Sequence, residues 1–188
     1  MKNTVNILVF LFLFVGMVSF TFPIEKLLKS QKTHIWFFSS TPLEDITANN
    51  YKSTSTLNTQ NGEAIFSVPM QSFEFEKALM QKHFNNQDFL DTKQFPRAKF
   101  VGQITDLSNV DFNKPGTYKV TVDGDMTIKG ATKRIKEPGI ITVVANSIKA
   151  ESKFDITLAD YGIVFEKGKP ASNIAKTIEI NFVGEYDK

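Results

Sequence analysis

The residues of this chain most able to do chemistry lie in the stretch VDGDMTIKGATKRIKEPG, residues 122–139. Asp123 and Asp125 could ligate a metal ion, and the run that starts at Gly130 could cradle a phosphate. A calcium loop needs oxygen donors wrapped round one centre, but the pattern after Asp125 is that of a continuing strand. A phosphate loop opens a helix, whereas this run joins two β-patterned segments. The stretch therefore indicates a β-hairpin rather than a site.

The two histidines of the chain, His34 and His83, stand outside any recognisable catalytic pattern. A metal site could combine His83 with Asp88 or Asp91. A histidine near the end of a helix also interacts favourably with the helix dipole, and this explanation needs no metal. Serine nucleophiles lack a base in a triad context. We therefore predict that the protein is not an enzyme and that it needs no metal and no cofactor.

Composition and charge exclude further classes of function. The chain has 188 residues, a net charge of +2 and no cysteine. Its length fits one domain, and the missing cysteines exclude a disulfide framework, a thiol nucleophile and an iron–sulfur cluster. Acidic and basic residues alternate without a basic stripe, so we predict no nucleic-acid binding. The local cluster of Lys129, Lys133, Arg134 and Lys136 is explained by a solvated hairpin face, with contact to anionic lipid head groups as the alternative.

The first residues have the layout of an export segment. Lys2 is followed by an uncharged run from Asn3 to Ile24, which is typical of a signal peptide. As a helix this run would reach about 33 Å, which is enough to span a bilayer. We predict a signal peptide or membrane anchor over 1–22, a linker over 23–32 and one folded domain over 33–188. We predict export of this domain to a bacterial periplasm, where an uncleaved N-terminal helix would tether it to the inner membrane.

The dominant pattern in the folded part is the period-two alternation of a strand with one buried face. It is clear in 116–130, 152–158 and 176–184, and further strands are predicted at 33–39, 50–57, 63–68, 98–105 and 135–144. One helix is predicted over 73–84. About eight strands at hairpin spacing indicate an all-β, antiparallel barrel or sandwich. A closed barrel of that size is either just filled by side chains or holds one small ligand.

Several segments together resemble the YceI-like family of bacterial exported proteins. They are FLDTKQFPRAKFVGQI, VTVDGDMTIKGATK and FDITLADYGI, in that order, with WFFSSTPLEDITANN similar to an exported branch. The resemblance covers Thr33 to about Val183. It implies a lipocalin-like barrel of about eight strands with one short helix near an end. It also implies an interior tunnel that holds a long isoprenoid or similar amphiphilic lipid by apolar contacts, without catalysis.

If the tunnel exists, its ligand-binding residues are the inward apolar side chains of the strands and of the helix region. Helix-region candidates at the mouth also include Leu90, and Tyr161 either hydrogen-bonds a head group or ties its turn to the barrel. The candidate ligand-binding residues are Trp36, Phe38, Phe66, Val68, Met80, Phe84, Phe89, Phe100, Val120, Val122, Met126, Ile128, Phe154, Ile156, Ile178 and Ile180.

A second hypothesis belongs to a different class of protein. A filled β-sandwich, displayed at the membrane by an uncleaved N-terminal helix, would bind another protein or a glycan. Each candidate wall residue is also what such a filled core would contain, and the inward register of the first strands is open to a shift of one residue. The identity of the lipid and the oligomeric state are not determined by the sequence.

Overall fold

The computed structural model describes residues 27–165 and 172–188, which form one antiparallel barrel with an α-helix at one end. The predicted signal peptide or anchor, 1–22, and the first four residues of the predicted linker 23–32 lie outside the described residues. The strands are β1 Leu27–Ser40, β2 Asp45–Asn50, β3 Thr54–Asn58, β4 Glu63–Pro69, β5 Glu74–Phe75, β6 Arg97–Ile104, β7 Gly116–Ile128, β8 Ala131–Val143, β9 Ser147–Thr157 and β10 Thr177–Asp187. The helix is α1 Ala78–Asn85, and single 3₁₀ turns lie at Met70–Ser72, Leu107–Asn109 and Leu158–Tyr161.

Eight positions around the ring close the barrel. The order is β1, β3, β4, β6, β7, β8, β9 and β10, and β10 pairs again with β1. β2 and β3 lie in series along β1, because β3 pairs with its first residues and β2 with its last. The short β5 pairs with the outer edge of β2 and leads into α1. The predicted all-β barrel of about eight strands with one short helix near an end is confirmed.

The stretch that looked most like a chemical site is the β7–β8 hairpin. Ile128 pairs with Ala131 across a two-residue turn. Lys129 and Gly130 have φ angles of 49° and 79°, the left-handed values that a tight hairpin turn with matching twist needs. On the outer face the Arg134 guanidinium lies 2.6 Å from an oxygen of Asp123. The aspartate therefore faces out of the barrel and pairs across the hairpin.

The chain enters the sheet earlier than the sequence predicted. β1 begins at Leu27, so residues 27–32, which were predicted as linker, belong to the fold. After Leu27 and Leu28 this part is polar, and it is interrupted by a bulge between Ser30 and Lys32, so it carries no alternation. It is held by partners distant in sequence: Ser30 pairs with Tyr186, and its hydroxyl accepts a hydrogen bond from the Ser55 amide at 3.0 Å.

Local hydrogen bonds explain two further differences from the predicted elements. The strand predicted over 50–57 breaks after Asn50, whose side-chain oxygen accepts from the Lys52 amide and the Ser53 hydroxyl, both at 3.0 Å. Such an Asx turn competes with a strand. The helix predicted from Phe73 begins only at Ala78, because Glu74 and Phe75 pair with β2 instead.

Candidate functional site: an apolar cavity inside the barrel

The interior of the barrel is partly empty. A cavity of about 980 Å³ runs from the helix end of the barrel down to Tyr186 near the opposite end. This is at the upper end of the range for small-molecule sites, about 300–1,000 Å³. A filled sandwich core, as the second hypothesis required, is therefore not what this chain forms.

Most of the predicted candidates line this cavity. The structure places fourteen of the sixteen on its wall: Phe66, Val68, Met80, Phe84, Phe89, Phe100, Val120, Val122, Met126, Ile128, Phe154, Ile156, Ile178 and Ile180. Leu90 lines it as well. That these side chains contact a ligand stays a prediction. For β7, β9 and β10, the residues predicted to face inward are the ones that face the cavity.

Trp36 and Phe38 are the two exceptions, and the phase predicted for β1 is wrong by one residue. Ile35, Phe37 and Ser39 line the cavity instead. Residues 35–38 are four consecutive apolar side chains, so alternation could not indicate which of them faces inward. The barrel decides it, because Ile35 and Phe37 pair with the inward Phe182 and Ile180 of β10.

The outer face of β1 carries a stack of three rings. The His34 ring lies 4.4 Å from Trp36 and 4.3 Å from Tyr51, measured between centroids. Its Nε2 is 2.9 Å from the side-chain oxygen of Asn49. His34 is thus held on the outside of the barrel, away from the cavity.

Gly102 lies on β6 between the inward Phe100 and Ile104 and faces inward with them, but it does not line the cavity. A Cβ at this position would lie 2.6 Å from the tip of the Phe100 ring and 2.6 Å from the carbonyl oxygen of Asp123. Its partner Gly124 on β7 is equally crowded. The glycine pair lets the Phe100 ring lie flat against the wall, which is the close approach that an inward strand glycine often marks.

Aromatic contacts cross the barrel interior below the cavity mouth. The Phe66 ring lies 5.6 Å from Phe100 and 4.3 Å from Phe182 on the far side of β1 and β3. Below them the Tyr186 hydroxyl is 2.8 Å from that of Ser55, and Tyr186 is almost fully buried together with Leu57 and neighbouring apolar residues. This end of the barrel is a filled core, so the cavity opens toward α1.

The opposite end is covered by a cluster of phenylalanines centred on α1. Phe84 lies 5.0 Å from Phe75, 5.4 Å from Phe73 and 5.9 Å from both Phe37 and Phe89. The Phe89 ring in turn stacks on Phe165 at 4.9 Å. Sequence reasoning did not assign Phe37, Phe75 or Phe165 to the wall. The alternation in SFEFEK, residues 72–77, was a usable signal for Phe73 and Phe75.

Polar side chains join three elements at this mouth. The Glu44 carboxylate accepts a hydrogen bond from Asn173 at 2.9 Å and pairs with the Lys77 ammonium at 3.0 Å. The Asn173 bond, and after it the Lys77 contact, holds the pKa of Glu44 below its ordinary value. The Ser39 hydroxyl accepts from the Ala175 amide at 2.9 Å. These bonds tie the β1–β2 turn to the start of α1 and to the segment before β10.

Across 27–165 and 172–188 there is no group of three or more His, Asp and Glu side chains placed to hold a metal ion. His83 and Asp88 both border the cavity opening, and His83 is in the last turn of α1, where the helix dipole favours it. Within the same residues, no helix has the length and hydropathy that crossing a membrane requires.

Comparison with solved structures shows that the fold is shared. A polyisoprenoid binding domain from Saccharophagus degradans, implicated in plant cell wall breakdown, is similar with a TM-score of 0.72 and 16% identity, over 85% of this chain and 97% of that one. BcnA from Burkholderia cenocepacia is similar with a TM-score of 0.66 and 16% identity, over 81% and 95%. The YceI protein of Campylobacter jejuni gives 0.57 and 17%, over 74% and 81%.

Sequence comparison gives the family. A UPF0312 protein from Shewanella denitrificans is 24% identical over 127 residues, which are 61% of this chain and 59% of that protein. The match thus spans less than two thirds of that relative's length. The family model of the YceI-like domain matches residues 28–186, nearly all of the described barrel. The chain therefore belongs to the YceI-like domain family.

Proposed function

We propose that this protein is an exported binding protein that holds a long-chain isoprenoid or related amphiphilic lipid in its barrel, without catalysing a reaction on it. The observation that carries the proposal is the cavity of about 980 Å³ with a wall of inward Phe, Ile, Val and Met side chains. Removing apolar ligand surface from water is worth about 25 cal/mol per Å². Such a wall therefore supplies affinity for a hydrocarbon chain without any charged contact.

The shape of the cavity favours a chain over a compact metabolite. Along β7 its lining extends from Val120 to Ile128. Eight residues at about 3.3 Å each, on strands tilted by about 40°, correspond to about 20 Å along the barrel axis. The solved relative from Saccharophagus degradans is described as a polyisoprenoid binding domain, which supports the same class of ligand for this chain.

The mouth of the cavity also suits contact with a membrane. The three most exposed large apolar side chains of the described residues are Leu43 at 69%, Leu79 at 63% and Val164 at 61%. All three lie at the α1 end of the barrel. There the Glu44–Lys77 pair joins the β1–β2 turn, which carries Leu43, to the start of α1, which carries Leu79. We propose that this rim meets the lipid surface, because a ligand could then enter the barrel without crossing water.

The basic hairpin cluster is a weaker candidate for that contact. Lys133 lies 3.9 Å from Asp160, and Arg134 pairs with Asp123 and Asp125. Much of its positive charge is therefore compensated within the protein.

Two features of the sequence support export to a bacterial periplasm: the uncharged N-terminal run and the absence of cysteine.

Native mass spectrometry of the exported protein, purified without detergent, tests the proposal. We expect a stoichiometric mass increment that solvent extraction releases as an isoprenoid or other long-chain lipid. A protein of bare mass that stays empty after incubation with membrane lipids would refute the binding function. Sequencing the N-terminus of the same preparation distinguishes a cleaved signal from a retained anchor.

A further inference from the structure

An acidic side chain at an inward strand position, Glu137 of β8, interrupts the apolar wall of the barrel. On β8 the residues that face inward include Ile135, Gly139 and Ile141, and Glu137 lies between the first two at the same parity. It pairs across the ladder with the inward Val122 of β7. Glu137 is half-buried and borders the cavity. A carboxyl group is therefore presented to the cavity, whose lining on this side also includes Glu151 and Ser152 of β9.

The wall is also discontinuous next to this carboxyl. The ladder between β8 and β9 runs from Val143 and Ile148 to Gly139 and Ser152 and stops there. The next residue of β8, Pro138, has no N–H to continue it. The Ser152 hydroxyl donates instead to the Pro138 carbonyl at 2.7 Å. Glu137 is the second residue past the end of the ladder.

The seam beyond Glu137 is covered by the turn Leu158–Tyr161. Tyr161 in this turn is only 2% exposed, but it is not among the residues that line the cavity. Burial, and after it the carboxylates of Asp160 and Glu137, raises the pKa of Tyr161 to about 12, so the phenol stays neutral and packs near Glu137.

Glu137 belongs to none of the ion pairs among residues 27–165 and 172–188. Burial, and after it the nearby Asp155, raises the pKa of the Glu137 carboxyl. Lys133, on the same strand, faces Asp160 at 3.9 Å. The Glu137 carboxyl can thus hydrogen-bond to a ligand, and no cation of the described residues pairs with it.

We propose that Glu137 binds the polar end of the lipid and selects an uncharged hydroxyl or carbonyl head group over a phosphate or carboxylate. The inference rests on the proposed function and narrows its ligand class. A neutral head group can hydrogen-bond to the carboxyl. An anionic head group would lie in a partly dry site beside a carboxyl that has no ion-pair partner among the described residues.

Two ligands with the same chain test this selection: geranylgeraniol and geranylgeranyl phosphate. Binding of each to delipidated full-length protein is measured by native mass spectrometry and by titration calorimetry at neutral pH. We expect the alcohol to bind at least about tenfold more tightly than the phosphate. We expect the Glu137→Lys variant to bind the phosphate more tightly than the alcohol. In Glu137→Gln we expect the ratio of the two affinities to be smaller than in the native protein. The matched control is Glu185→Gln, which removes an exposed carboxylate on the outside of β10 and leaves the ratio unchanged.

The outcomes separate the two proposals. If both ligands bind the native protein equally, or if the ratio is the same in Glu137→Gln as in the native protein, the head-group site is refuted while lipid binding stands. If neither ligand binds, the lipid-binding function fails and the head-group site fails with it. Circular dichroism of each variant establishes that it is folded. Should Glu137→Lys not fold, the Glu137→Gln ratio decides alone.

Discussion

Phe84 holds the helix that covers the cavity, and its removal should open this cover without unfolding the barrel. It is the one buried side chain of α1, and its ring contacts four other phenylalanines. A helix of eight residues is not stable by itself. The docked position of α1 therefore depends on this one side chain, and we expect Phe84→Ala to release the helix.

The size of the effect follows from the burial. Truncating a buried Phe to Ala costs about 3–5 kcal/mol, and the lower end applies because the helix can move to relieve the gap. A loss of about 3 kcal/mol in local stability corresponds to about 100-fold more frequent opening, at about 1.4 kcal/mol per factor of ten. Amides of α1 should then exchange with deuterium about 100-fold faster, while those of β7 and β8 keep their protection.

Hydrogen-exchange mass spectrometry measures both regions in one experiment. The matched control is Leu79→Ala on the same helix, since Leu79 is 63% exposed and a surface change of about 0.5 kcal/mol alters exchange only about twofold. Unchanged protection of α1 in Phe84→Ala would show that other contacts hold the cover. Equal loss of protection in the barrel strands would show that the helix is not an independent unit.

Three further predictions concern stability and the mouth. Gly102→Ala should lower the free energy of unfolding by about 1–3 kcal/mol, because its Cβ would lie 2.6 Å from a backbone carbonyl of β7; urea titration measures this against the exposed control Val101→Ala, and equal midpoints would contradict the crowding. Burial raises the pKa of Tyr186 from 10.0 to about 12. The unfolded chain therefore loses this proton first, and stability should fall between pH 10 and 12, by up to about 2.7 kcal/mol for a shift of two units. Alkaline unfolding should be shallower in Tyr186→Phe, and an identical pH profile would refute this assignment. The lowered pKa of Glu44 means that the folded state favours the ionised carboxylate. The stabilisation of the fold by this carboxylate is present above the ordinary pKa of 4.5 and is lost as the pH falls through the lowered value. Glu44→Gln should release a bound lipid faster at neutral pH and remove this acid dependence, and a release rate equal to that of the native protein would show that the Lys77 pair does not hold the mouth.

The alternating strands were predictable because their local pattern has one solution. In β7 the residues Tyr118, Val120 and Val122 are separated by Lys, Thr and Asp, and only one face of such a strand can be buried. The Lys129-Gly130 turn and the outward position of Asp123 follow from the same pattern. The family resemblance added the barrel to what the pattern left as barrel or sandwich.

The early strands were less predictable because their local signals conflict with their tertiary partners. Residues 35–38 are all apolar, so the inward phase of β1 is set by its pairing with β10 and not by alternation. Residues 29–32 are polar, and the segment 27–32 joins the sheet by pairing with β3 and β10. In both cases the deciding contacts are more than 25 residues away along the chain.

By itself the sequence determined the strand pattern, the hairpin and the set of apolar side chains from which the interior is made. Whether those side chains fill the barrel or surround a space was decided by the tertiary structure. The lower end is filled because Tyr186 and Leu57 meet there. The upper part of the interior stays empty because α1 lies across that end of the barrel and does not insert into it. The inward Glu137 beside a broken ladder is also a tertiary feature, since a strand pattern does not show where a neighbouring strand stops pairing.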